Sequence, residues 1–507
     1  MIAAMTVPEH KTGFIESDLL EGYTSEFGLL TRELNQVIDR PVVIGIDPSI
    51  IASIRVLGSS APASAVAWLE RLDAATNETF PLAWADADIT LGLQAGSGEV
   101  LAPESFAFAI DPSLFSGAAV DPTPTPEPTE VPDTVPPLPT DESLIAWDYT
   151  VPEISWPAMN SVTKSDLAVL SGTTILSSGN VGATGASTAL SVVDGAPALV
   201  ADETLSALFS STVASVSGGN WQTAMASLAS AVGSVPSTDD RPASVLLALD
   251  RSVATSDPDL GLTIDSIATT PNVQVMGLAE LLATGAGSAS LVDQPHEASA
   301  IDKVRALLAE EAADAQFAQI AQTPALITSD RRLDLLATIS NGWSDNAIGW
   351  EAAVTSYAAE SVSLRDSVNI VKSSSITLWA DRASLPVTVS NELAQPITVY
   401  VTVRPLTPLL KIENSFVEVV VEPNSQRKAA VPVQSLSNGV VEIEVTLHQA
   451  TGQGVGNTKY VRTTVQAGWE TPFTITVGAV VVLIFAAGIV RTIVRRRRAR
   501  TSESSEG

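Results

Sequence analysis

The chain has 507 residues, 17% of them charged, and sets 57 acidic against 27 basic side chains for a formal net charge of −30. A surface that acidic repels phosphate and excludes nucleic acid as a partner. The absence of cysteine excludes disulfide scaffolds, thiol nucleophiles and thiolate metal sites, so the roughly two to four domains expected from the length rest on ordinary cores.

The overall expectation is a multidomain α+β protein. Residues 1–295 read as one α/β unit, with a degenerate, barrel-like closure as one arrangement. Leu19, Leu20, Tyr23, Phe27, Leu30, Leu34, Val37 and Ile38 recur at helical spacing over residues 18–38, until Arg40 and Pro41 end the pattern. Residues 41–47 (PVVIGID) are a continuous apolar run of the kind buried in parallel sheets. A helix over 63–73 follows, and the stretches 80–88 (FPLAWADAD) and 105–111 (SFAFAID) repeat an apolar run closed by aspartate. Strand and helix alternating at this spacing argue for a largely parallel sheet.

Residues 121–140 hold eight prolines and five threonines. That composition predicts an extended, polyproline-like surface excursion open to O-glycosylation. Beyond it the pattern resumes with strands at 173–178, 196–202, 243–250 and 272–278 and helices at 205–216 and 221–232. Residues 296–370 turn to helical periodicity and predict a small connector of three helices.

Over residues 371–468 the period becomes two. Ile397, Val399, Val401 and Val403 alternate with Thr398, Tyr400 and Thr402, and Val441, Ile443, Val445 and Leu447 with Glu442, Glu444, Thr446 and His448. About seven such strands between Asn, Gly and Pro turns predict an immunoglobulin-like β-sandwich without its disulfide.

Residues 472–494 predict a transmembrane helix and 495–507 a basic cytoplasmic tail. From Phe473 to Val490 no charge interrupts 18 residues, about 27 Å of helix against a hydrocarbon core of roughly 30 Å. Arg491, Arg495, Arg496, Arg497, Arg498 and Arg500 follow, six of the 27 basic residues. Basic residues beside a span stay in the cytoplasm, so the expectation is a single-pass plasma-membrane protein with residues 1–470 outside. An exported start needs a signal, and the first twenty residues have neither a basic nor an apolar signal region, so the true N-terminus is expected upstream.

The stretches PVVIGIDPSIIASIRVLG, APASAVAWLERL, FPLAWADAD, SSSITLWADRASLPVTVSNELAQPITVYVTVRP, VPVQSLSNG and VQAGWET, in that order before the span, resemble a family of actinobacterial envelope proteins of unknown function. The resemblance covers most of the chain. It implies a single-pass envelope protein, often encoded near the lipid II flippase, with a role in cell-wall or surface-polymer biology and with the bilayer, wall polymer or envelope proteins as partners. It implies no catalytic activity. The α/β half also resembles, more distantly, polysaccharide deacetylase-like barrels, which hold a metal with an Asp and two closely spaced His. Here His10, His296 and His448 lie in three separate segments, so no metal and no cofactor are expected.

Asp47, Asp86, Asp88, Asp111 and Asp250 close apolar runs, at the carboxyl ends where parallel α/β folds place ligands. Two of them can serve a glycoside hydrolase, which needs carboxylates ~5 Å or ~6.5–9.5 Å apart, and this is the alternative to a structural, binding or accessory role. Ordinary turn chemistry accounts for the same residues, since Asp before Pro accepts backbone hydrogen bonds. Trp68, Trp84, Trp147, Trp156 and Trp221 can stack on sugar rings or be buried. The glycines of residues 179–185 open no clear helix and do not make a nucleotide site.

Overall fold

The computed structural model describes residues 1–8, 12–115, 138–182, 188–215, 218–237, 243–251, 253, 258–372, 375–380, 382–466 and 470–501, with the side chains of 474–496 in the last segment. His10, residues 121–137, Gly185 and the side chains of Phe473, Arg497 and Arg498 lie outside the described residues. The protein is mixed α+β, and its contacts divide into two compact units, Met1–Ala318 with Ala325–Ser361 and Gln319–Pro324 with Val362–Gly507.

The first unit is built on short parallel strands. Ile2–Met5 pairs with Val43–Ile46, which pairs with Thr79–Pro81. A second curled sheet joins Ile154–Ser155, Thr173–Ser177 and Ala196–Ala201 in parallel and adds Leu190–Val193 and Gly287–Ala289. Residues 246–249 link the two sheets through parallel bridges from Leu246 to Ala201 and from Ala248 to Ile2. On the other side Val151 N donates to Thr79 O at 3.0 Å. The strands thus enclose an apolar core drawn from nearly every one of them, including Ile2, Val43, Phe80, Ile154, Ile175, Leu199 and Leu246. Helices pack outside on a second core around Leu30, Leu34, Ile50, Trp68 and Phe209. A third core gathers Val304, Leu307, Leu333, Leu336 and Tyr357 of the helices Ala298–Ala318, Ala325–Thr338 and Ala347–Asp366 with Trp84 and Phe106.

Three local expectations need correction. Residues 18–38 form two helices, Ser17–Thr24 and Leu29–Val37. Gly28 sits at the break, where a Cβ would lie 2.2 Å from Tyr23 O, and Phe27 in the break is 80% exposed. Residues 105–111 are not a strand: Phe106 leaves the backbone turn to stack on Trp84 at 4.9 Å between ring centroids. Residues 272–278 are not a strand either, but lead into the helix Leu278–Leu282, whose first N–H groups bond Glu78.

In the second unit the period-two stretches form two sheets. One runs Ile376–Leu378, Gly454–Val465, Gly439–His448, Ile397–Pro405 and Val417–Val421. The other runs Leu410–Ile412, Ser425–Ser435, Arg382–Asn391 and Val368–Ile370. Val399, Val401, Ile443 and Val445 of the first and Val389 and Val431 of the second are at most 1% exposed, so each sheet buries one face as its alternation requires. The segment Gln319–Pro324 adds itself to the strand Ile397–Pro405 by an antiparallel bridge of Ala321 to Ile397. There Thr398 N donates to Ile320 O at 2.8 Å and Gln322 N to Pro396 O at 2.9 Å.

The last described element is the helix Glu470–Thr501. Residues Thr474–Arg496 are long and apolar enough to cross a membrane, and their side chains, such as Leu483 at 68% and Phe485 at 69%, stand exposed as lipid contact requires.

Candidate functional site

Three of the five aspartates that close apolar runs in the first unit, Asp47, Asp86 and Asp88, are buried near one another. The apolar run Val43–Ile46 ends at Asp47, and Pro48 fixes the first turn of the helix Pro48–Val56. Asp47 caps that helix: its Oδ1 accepts from Ser49 N at 2.8 Å and from Ala85 N at 2.9 Å. Its Oδ2 is enclosed without a hydrogen-bond partner. Burial pushes this carboxyl up to about 7, and the neighbouring Asp86 adds to the shift against the pull of Ser49 and Ala85.

Ala85 and Asp86 both sit in the left-handed region, at φ 56° and 46°. Each non-glycine residue there costs on the order of 1–3 kcal/mol, so the surroundings must hold the turn. They do: Asp47 takes Ala85 N, and Asn341 Nδ2 donates to Asp86 O at 2.9 Å. The Asp86 carboxylate meets Arg251 Nε at 2.7 Å, with side-chain exposures of 4% and 8%. Arg251 also donates from Nη2 to Trp156 O at 2.9 Å and lies over the Trp156 ring at 4.0 Å from its centroid. Burial raises the Asp86 carboxyl and Arg251 opposes it. The Tyr149 hydroxyl is enclosed without a partner; burial raises its pKa and the charge of Asp47 adds to this. Beside it, Arg55 Nη1 holds the carbonyls of Ser143, Leu144 and Ala146 at 3.1, 3.2 and 2.5 Å, fastening the chain that leads to Tyr149.

Asp88 belongs to a neighbouring cluster. It caps the helix Ile89–Ala95, its Oδ1 accepting from Leu91 N at 3.1 Å and Thr90 Oγ1 at 2.9 Å. Its Oδ2 lies 3.3 Å from His296 Nε2. Burial opposes both charges, but their mutual hydrogen bond and attraction outweigh it, holding Asp88 below and His296 above the ordinary values. Gln94 fixes the same corner, its Oε1 accepting from His296 N at 2.9 Å.

Of the five aspartates, Asp47, Asp86 and Asp88 are thus brought into electrostatic reach of one another, and Asp111 and Asp250 are not joined to them. Asp111 is exposed and caps the turn Pro112–Leu114, accepting from Ser113 N at 2.9 Å. The Asp250 side chain is exposed, and its backbone N–H donates to Ser210 Oγ at 3.0 Å. Arg251, Tyr149, Asn341 and His296 complete the site; the first three were not singled out by the sequence, and His296 was named there only to set a metal site aside. Only the position of Arg251, next to a strand-end aspartate, carried a signal. Trp68, Trp84 and Trp156 are at most 5% exposed and form core, so their rings do not present a sugar-stacking face. Among the described residues no group of three or more acidic or His side chains could hold a metal ion. The chemistry available at Asp47 is proton exchange near neutrality beside an ion pair.

Val490, Arg491, Arg495 and Arg496 all lie in the exposed apolar helix and its basic end. No curated protein matches the chain. Several solved structures align with part of it at TM-scores below 0.2. E. coli alpha-2-macroglobulin in its native conformation is 20% identical over 20% of this chain and 7% of its own length, with a TM-score of 0.17. WR4, a C. elegans MSP family member, is 8% identical over 20% of this chain and 98% of its own, with a TM-score of 0.16. The E. coli chaperone DraB is 10% identical over 20% of this chain and 55% of its own, with a TM-score of 0.15. A family model described as a family of unknown function, DUF6049, matches residues 31–504, and with nearly its whole length so matched the chain belongs to that family.

Proposed function

We propose that this is a single-pass protein of the actinobacterial cell envelope. Its folded units lie outside the plasma membrane, the second an immunoglobulin-like sandwich next to the anchor and the first a degenerate barrel that recognises wall polymer or an envelope partner. The observation that carries this is the exposed apolar helix Thr474–Arg496 running into a cluster of arginines. Guanidinium groups at one end of a span resist translocation and fix which side that end occupies.

The absence of cysteine makes the test clean. Thr451→Cys in the sandwich is expected to react with a membrane-impermeant maleimide on intact cells, and Ser505→Cys in the tail only after permeabilisation. The reverse pattern refutes the orientation, and equal labelling of both refutes the span. A second reading, hydrolysis of a surface carbohydrate by strand-end aspartates, is supported by the enclosed, unpaired Oδ2 of Asp47 beside Asp86. On that reading Asp47→Asn abolishes release of sugar from isolated wall while the fold survives.

A further inference from the structure

The two ends of the sandwich differ in a way its packing does not require. The last strand, Gly454–Val465, finishes beside Leu378, since Leu378 pairs with Val465 in parallel. The same register places Gly439 opposite Val465 and Arg382 opposite Gln434, and Leu410 opposite Ser435. The connections after Leu378, after Pro405 and after Ser435 therefore meet at the end of the sandwich from which the chain leaves.

These connections carry large apolar side chains in solvent, Trp379 at 72%, Leu406 at 46% and Leu436 at 52% exposure, and Val440, second in its strand, adds another at 57%. The three connections are tied to that end by the backbone. Gln466 N donates to Leu378 O at 2.8 Å, Leu406 N to Glu442 O at 2.9 Å and Leu436 N to Leu409 O at 2.9 Å. At the opposite end the turns hold Glu392, Gln395, Glu422, Asn424, Gln449 and Gln453, and beside them Val420 stands 37% exposed. A cluster of exposed apolar groups at one end of a fold marks a contact, and a tryptophan with aliphatic neighbours suits the interface of a bilayer.

Connectivity names the occupant. From Val465 to Glu470, where the anchor helix begins, the chain has five residues to cover, at most about 18 Å when extended. The apolar end is the one this short tether keeps near the headgroups. Arg382 and Lys411 flank it on exposed strand positions, Arg382 paired with Glu413 at 3.3 Å, and can reach anionic lipid.

We infer that the anchor-side end of the sandwich, through Trp379, Leu406, Leu436 and Val440, docks into the interface of the bilayer that the helix spans. This rests on the membrane reading given above. Docking gives the ectodomain a seated base on the bilayer.

The full chain, reconstituted in vesicles of phosphatidylcholine and phosphatidylglycerol containing a lipid spin-labelled at the headgroup or deep in the acyl chain, tests it. Single-cysteine variants carry an environment-sensitive dye at Leu436→Cys, at Gln395→Cys on the far end, and at Ala486→Cys within the helix. Headgroup label is expected to quench the dye at 436 at least about twofold more than the dye at 395, with a blue-shifted emission. Removing the neighbouring anchor by Trp379→Glu should abolish most of that difference. Equal quenching at 436 and 395 overturns docking. The dye at 486 separates the two failures: if the acyl-chain label does not quench it, the span itself is wrong, and if it does, only docking is.

Discussion

Asp47 offers the sharpest test of the strand-end site. Its folded value of about 7 against an ordinary 3.8 is a gap that, at about 1.4 kcal/mol per unit, corresponds to roughly 4 kcal/mol. The folded value is raised, so between about pH 4 and 7 the folded chain keeps a proton the unfolded chain has lost, and stability falls as pH rises through that window. Asp47→Asn keeps the Oδ1 that receives Ser49 N and Ala85 N and puts an uncharged amide in place of the unpaired Oδ2. A neutral acid and an amide make similar demands on the enclosure, so the variant should match the parent near pH 4 and exceed it by up to roughly 4 kcal/mol near pH 8. Urea unfolding of the full chain in detergent, followed by tryptophan fluorescence, reads this directly, because seven of the nine tryptophans lie in the first unit. A loss of stability that is the same at both pH values would mean that Oδ2 is held by a donor as a carboxylate, and the burial reasoning would fail.

The other predictions concern the ion pairs and cores. Arg251→Met strands the buried Asp86 and should cost roughly 3–5 kcal/mol, while adding Asp86→Asn recovers most of it in the same urea assay. His296→Gln should weaken the first unit near pH 5.5 and leave it unchanged near pH 9: the raised His296 value makes its pairing with Asp88 fully present below about 6.5 and lost as pH rises through the folded value. Ile443→Ala, at 0% exposure between the sheets, should lower the stability of the second unit by roughly 2–5 kcal/mol in thermal unfolding. Gly172→Ala should destabilise the first unit by more than about 1 kcal/mol, because φ is +70° and the new Cβ would lie 2.5 Å from Glu153 O.

What the sequence revealed follows from what side-chain spacing can encode. Alternation over 397–403 and 441–447 placed the inward faces correctly, because one sheet face is buried and a pleat has period two. Val368–Ile370 reads as the end of the helical stretch and Leu410–Ile412 escaped notice, because three residues are too few to show a period of two. Helical spacing over 18–38 was real on both sides of Gly28, but a pattern of apolar residues does not register a break made by backbone crowding. Residues 105–111 looked like a strand because an apolar run there is closed by an aspartate; the rings of Phe106 and Phe108 in fact pack around Phe14, at 5.7 and 5.9 Å between centroids. At the site, Asp47, Asp86 and Asp88 were legible from their place after apolar runs. Their partners Arg251, His296 and Asn341 come from 160 or more positions later in the chain, a distance no local pattern spans.

The hexapeptide that lies along Ile397 has a practical and an evolutionary corollary. A fragment cut to begin at residue 362 would omit it and bare a ladder edge for pairing with other chains. Recombinant versions of the C-terminal half therefore need that peptide supplied, fused or added in trans, to remain monomeric. By the same token, appending one ready-made module to another at a single junction would not produce this arrangement, so the halves have to be inherited and engineered together.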